Sequence, residues 1–92
     1  MTQTTARHAR ITGRVQGVAF RAWVQRQAQA RGLTGWGRNE ADGAVTALVQ
    51  GPRDVVQDML AALHGGPDRA RVDRVDTALA DPAGLDRFEI RR

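Results

Sequence analysis

Ninety-two residues with 14 arginines, no lysine and a net charge of +4 leave room for one hydrophobic core, because a chain this short buries only about two-thirds of its unfolded surface. There is no cysteine, which excludes a disulfide framework or a thiolate metal site and leaves apolar packing to carry the fold. No apolar run approaches the ~20 residues of a membrane span, and the opening MTQTTARHAR lacks the apolar stretch of a secretory leader, so the cytoplasm is the expected setting, with a monomer as the default state.

Residues 1–6 are small and polar and read as a flexible tail. Between His8 and Thr12 the apolar Ala9 and Ile11 share one face, as in a strand, and Gly13 closes it. The period changes from Phe20 to Arg31. Phe20, Val24 and Ala28 fall four apart, neither Gly nor Pro interrupts, and Gly32 supplies the stop of an amphipathic helix. Leu33–Asn39 reads as a strand weakened by two glycines. Asp42-Gly43 is a hairpin-turn pair, and Ala44–Gly51, rich in Val and Leu, is the returning strand.

GPRDVVQDMLAALHGG encodes a second helix. Pro52 suits the first helical position, and Asp54 places negative charge where the helix dipole favours it. Val55, Met59 and Leu63 form one stripe, and Gly65-Gly66 ends the helix after His64. Arg71–Leu79 lies between Pro67 and Pro82, too confined for another helix, and is taken as a strand. Phe88 and Ile90 share a face of a short closing strand. Two split β–α–β units in one domain, residues 1–92, predict an α+β fold with an antiparallel sheet and both helices on one face.

The stretch GRVQGVAFR, Gly13–Arg21, falls between the first strand and the first helix. The opening amides of a helix have no internal partners, and the macrodipole makes that end positive. A glycine there lets successive N–H groups point inward. Val15, Gln16, Gly17, Val18, Ala19 and Phe20 thus predict a cradle of amides for a phosphate or carboxylate, with Val15 and Val18 anchoring it to the core. Arg21, in the first helical turn, carries a planar guanidinium able to bridge two phosphate oxygens; the competing role is an ordinary solvated arginine. The chain has no Gly-Lys-Ser/Thr and no Gly-x-Gly-x-x-Gly after a strand, so neither common nucleotide loop is present.

GRVQGVAFR resembles the signature of the acylphosphatase family, Gly-x-Val-Gln-Gly-Val-x-Phe-Arg. GWGRNEADGAV, Gly35–Val45, is similar to that family's second signature, and FEIRR looks like its closing strand. The resemblance covers nearly the whole chain. It implies a ferredoxin-like sandwich (βαββαβ) that hydrolyses the carboxyl–phosphate bond of acyl phosphates, releasing a carboxylate and inorganic phosphate, with no metal or cofactor. By position it places the phosphate-binding arginine on Arg21, the water-positioning asparagine on Asn39 and the phosphate loop on Val15–Phe20. Two departures stand out. Ala19 replaces the Gly or aromatic of many members, and Gly37 replaces a common Val, which is expected to loosen Asn39.

The composition agrees with that chemistry. A carboxylate leaves without protonation, so the phosphoryl group needs charge stabilisation and the water needs aim. With no serine and no cysteine, a phospho-serine or thiol intermediate is excluded. His8 and His64 are expected to be structural, which leaves direct attack by water. Asn39 also suits turn geometry in its own right. Trp23 and Trp36 are expected to pack, and Asp73 and Asp76 to be solvated rather than to bind metal. Nucleic acid is not the expected partner, because Phe20, Trp23, Trp36 and Phe88 do not form the stacking run of an RNA-binding sheet.

Overall fold

The computed structural model describes residues 3–92; the first two residues of the expected tail lie outside the described residues. The first strand, β1 (Thr4–Arg14), is longer than the apolar alternation alone indicates. Thr4, Thr5 and Ala6 pair with Pro52, Gly51 and Gln50 of β3 (Val45–Pro52). These three residues of the expected tail therefore belong to the sheet. Two polar threonines and one small alanine gave no alternating signal, but Ala6 is buried and the backbone of all three completes the ladder of the central strand.

Side chains in the sheet sort by parity. Ala9 and Ile11 on β1, with Val45, Ala47 and Val49 on β3, are fully buried on one face. On the other face of β3, Thr46, Leu48 and Gln50 are also nearly covered, as befits the central strand of the order β4-β1-β3-β2-β5. The helices α1 (Phe20–Ala30) and α2 (Arg53–Leu63) bury Phe20, Val24 and Ala28, and Val56, Met59 and Leu63, against that core. Each of these larger side chains contributes roughly 1.5–3 kcal/mol through burial. Helix α1 rests on β2 (Thr34–Asn39) and β5 (Phe88–Arg91), α2 rests on β1 and β3, and the helices touch each other. Both therefore cover one face, the arrangement of a ferredoxin-like α+β sandwich.

Two expectations need correction. The sheet is mixed, because β5 lies parallel to β2. The reason is topological. β4 (Arg71–Ala80) is antiparallel to β1 at one edge, and β5 occupies the opposite edge. Residues 81–87 cross between those edges at the end where β4 finishes, so β5 must run opposite to β4, as β2 already does. Gln50 pins this crossing: its amide donates to the Ala83 carbonyl and accepts from the Ala83 N–H, both at 2.8 Å. Pro52, expected as the first helical residue, instead ends β3 and caps α2, with ψ 139°. That extended angle pairs it with Thr4, and the helix starts one residue later.

The two glycines of β2 have a packing role. Gly35 and Gly37 lie under the ring of Phe88, and Gly35 has φ 146° with its backbone hard against β3. A Cβ at Gly35 would sit 1.8 Å from the Leu48 carbonyl oxygen; one at Gly37 would meet the Phe88 ring at 3.8 Å, an ordinary contact. Phe88 thus covers the bare backbone at Gly37 while leaving room for a methyl group there. Gly35→Ala is expected to lower stability to urea by more than ~3 kcal/mol, whereas Gly37→Ala should be neutral or raise it by about 0.5–1 kcal/mol through lower unfolded-state entropy.

Candidate active site

The site is built where β1 gives way to α1. The ladder between β1 and β4 shifts register between Thr12 and Gly13, and Gly13 lies so close to the Arg71 carbonyl oxygen that a Cβ would stand 2.2 Å from it. Beyond this irregularity the chain leaves the end of β1 and enters the loop. Val15 is fully buried, and Val18 packs partly buried against the same cluster. Between and after these anchors the backbone takes left-handed angles at Gly17 (φ 74°) and Ala19 (φ 58°). Such reversals curve successive amides toward one side.

Ala19 is the N-cap of α1. It makes no side-chain cap bond, and no acidic residue lies in the first turn. The first backbone bond of the turn is from the Trp23 N–H to the Ala19 carbonyl at 3.0 Å. The earlier amides of the helix therefore have no capping side chain, which makes this end of α1 electropositive.

A cavity of ≈ 200 Å³ opens there. Val15, Gly17, Ala19 and Phe20 form its loop wall, Arg21 and Ala22 its helix wall, and Asn39 and Ile90 the side belonging to β2 and β5. The fold thus brings Arg21 and Asn39, 18 residues apart in sequence, to one cavity with the loop. Gln16 and Val18 do not line it. The Gln16 side chain turns away and donates to the Glu40 and Ala44 carbonyls.

Arg21 is half-buried, and its Nη1 donates to the Arg91 carbonyl at 3.0 Å, which tethers the guanidinium to β5 beside the cavity. Asn39 is the last residue of β2, paired with Val45. Its side-chain amide makes no hydrogen bond to another described residue, so its donors and acceptor remain available to the cavity. The turn after it is tightly held. Asp42 accepts from the Ala44 N–H at 3.2 Å and pairs with Arg10. Glu40 accepts from Arg38 and from the Thr46 hydroxyl, each at 2.7 Å. The Arg38 and Thr46 bonds hold the Glu40 carboxyl below its usual range, and the Ala44 N–H, then Arg10, do the same for Asp42. Both carboxylates are therefore ionised at neutral pH.

Several residues weighed from sequence lie elsewhere. His8 stacks edge-on against Trp36 with ring centroids 5.9 Å apart, and His64 caps the C-terminus of α2. Asp73 and Asp76 pair with Arg71 and Arg74 on the edge strand β4. No group of three or more His, Asp or Glu among the described residues is placed to hold a metal ion. Two cavity residues had no functional signal in the sequence. Ala22 is hidden among other alanines, and Ile90 reads only as strand. The parity of Phe88 and Ile90 would have pointed to Ile90, had the pairing of β5 with β2 been known.

A profile of the Acylphosphatase family matches residues 7–90. The chain belongs to the acylphosphatase family. The acylphosphatase of Natronomonas pharaonis is 48% identical over 85 residues, 92% of each chain, and that of Alcanivorax borkumensis is 54% identical over 71 residues, 77% of each. The crystal structure of acylphosphatase from Bacillus subtilis matches with a TM-score of 0.93 at 34% identity, over 96% of this chain and 99% of that one. Against the acylphosphatase signature, Ala19 is a residue with a Cβ held in a left-handed conformation, which costs roughly 1–2 kcal/mol. Ala19→Gly should relieve that cost, partly offset by a freer unfolded chain, and raise the urea-unfolding free energy by about 0.5–1 kcal/mol.

Proposed function

We propose that this cavity hydrolyses acyl phosphates by direct attack of water on phosphorus, releasing a carboxylate and inorganic phosphate without a metal ion. Family membership supports the reaction class. One observation supports the mechanism: an uncapped helix start, a tethered guanidinium and a free carboxamide converge on a single cavity.

The phosphoryl dianion is received by loop and first-turn N–H groups between Gly17 and Phe20, with Arg21 bridging its oxygens. These donors are fixed before substrate arrives, so they stabilise the spreading charge of the transition state with little reorganisation. Asn39 serves the water. Its carbonyl oxygen accepts from the water and its NH₂ donates toward a phosphoryl oxygen, which holds the nucleophile close to and in line with phosphorus. As the new P–O bond forms, the bond to the carboxylate oxygen breaks. The carboxylate leaves unprotonated, since carboxylic acids ionise near pH 4. The water's proton passes to a phosphoryl oxygen, giving dihydrogen phosphate. No general base is required, in keeping with the absence of His, Asp and Glu from the cavity lining.

Ile90, 42% exposed, and Ala22 give the cavity an apolar side that can take the acyl group. The proposed setting is a monomer in the cytoplasm; no helix among the described residues is long and apolar enough to cross a membrane.

Arg21→Ala should lower kcat/KM for benzoyl phosphate by about a hundred- to several-thousand-fold while far-ultraviolet dichroism is unchanged, from a loss of about 3–5 kcal/mol of transition-state stabilisation. Wild-type turnover by that variant would remove Arg21 from the site. Asn39→Ala should lower kcat far more than it weakens competitive inhibition by phosphate; matched losses would make Asn39 a substrate binder. Treatment with EDTA should leave the rate unchanged, and strong inhibition would reveal a required metal ion.

A further inference from the structure

The carboxamide of Gln16 faces a neighbouring element rather than the cavity. Its Nε2 donates to the carbonyls of Glu40 at 2.7 Å and Ala44 at 2.9 Å, so both amide hydrogens are committed to the turn between β2 and β3. The same two carbonyls close that turn on itself. The Glu40 N–H donates to the Ala44 carbonyl at 2.8 Å, and the Gly43 N–H donates to the Glu40 carbonyl at 3.2 Å. Each carbonyl uses one lone pair within the turn and one for Gln16. No other hydrogen bond joins residues 15–19 to residues 39–45 among the described residues.

The positions of the neighbours give this clamp its meaning. Gly17, which follows Gln16, is the first left-handed residue of the loop. Asn39 immediately precedes Glu40, and its strand partner Val45 immediately follows Ala44. Gln16 therefore ties the start of the phosphate cradle to the base of Asn39, whose own side chain has no hydrogen-bond partner among the described residues.

We infer that Gln16 is a positioning residue for the hydrolytic water: it fixes the separation between the amides that grip the phosphoryl group and the carboxamide that aims the nucleophile. This rests on the reading of Asn39 as the water-holding residue. A reacting constellation tolerates only about 0.5 Å of error, and a shift of ~1 Å can cost ~100-fold in rate. The cradle and the turn arrive from separate parts of the chain, so only noncovalent contacts set their spacing. Glutamine suits the task because one neutral nitrogen presents two diverging donors. A glutamate here would set a carboxylate against two carbonyl oxygens, and an asparagine would fall one methylene short.

The test is a double-mutant cycle. Wild type, Gln16→Ala, Asn39→Ala and the double variant are assayed for benzoyl phosphate hydrolysis and for inhibition by inorganic phosphate, with urea unfolding as the check on folding. Gln16→Ala should lower kcat by roughly 10- to 100-fold while the inhibition constant for phosphate moves less than about threefold. In the Asn39→Ala background the same change should cost less than about twofold, because the two residues act as one unit. Equal losses in both backgrounds, or a loss of phosphate affinity matching that of kcat, would overturn the inference and leave Gln16 a loop-packing residue. Wild-type kcat in Asn39→Ala would overturn the water-holding reading itself, and the inference with it. Should Gln16→Ala fail to fold, Gln16→Asn carries the same comparison.

Discussion

Much of this molecule follows from one electrostatic fact: the first turn of α1 opens with no side chain and no acid to satisfy it. In most helices a serine, threonine or aspartate takes that place. Here the cap is Ala19, in a left-handed conformation that stores strain. A helix left in that condition is an anion site in waiting, and the surrounding elements are arranged to keep it open but not flooded. Val15 and Phe20 anchor the two ends of the loop in the core, so the amides cannot swing away and find partners elsewhere. Arg21 adds a full charge to the partial charges of the backbone and is held by a main-chain carbonyl rather than a carboxylate. A carboxylate partner would compete with phosphate for the guanidinium; a carbonyl orients it without neutralising it.

Five other arginines show the contrast. Arg10, Arg31, Arg38, Arg71 and Arg74 each meet a carboxylate. Most of these pairs are exposed and contribute little to stability. Along β4 they have another use, because a long unpaired edge invites pairing with another chain and alternating charges discourage it. The count of 14 arginines therefore overstates how basic the surface is, since acidic residues offset it to a net +4, and Arg21 is set apart by combining a carbonyl tether with a place on the cavity wall.

What could be read from the residues alone was whatever depends on local periodicity and on rigid spacing. The four-residue repeat of Phe20, Val24 and Ala28, the Asp42-Gly43 turn and the loop before Arg21 all express local chemistry, and the elements they predict are present. What depends on partners distant in sequence was not legible. Thr4–Ala6 have no strand-like pattern of their own and become strand only because β3 offers a free ladder. The parallel pairing of β5 follows from which edge the chain reaches, which no window of residues encodes. Ile90 entered the cavity with that pairing. Gly37, whose missing side chain suggested a loose strand, is backed by the Phe88 ring, a compensation invisible until β5 is placed.

The tether on Arg21 has a consequence for the order of folding. Its acceptor lies 70 positions further along the chain, on a strand that can dock only after the crossing of residues 81–87 has reached the far edge. An intermediate in which residues 81–92 have not docked can form both helices and the four antiparallel strands, yet it has no carbonyl to orient the guanidinium and no Phe88 to cover the bare stretch of β2. The cavity is thus complete only once β5 has docked, a closure between residues far apart in sequence, of the kind that topology makes slow.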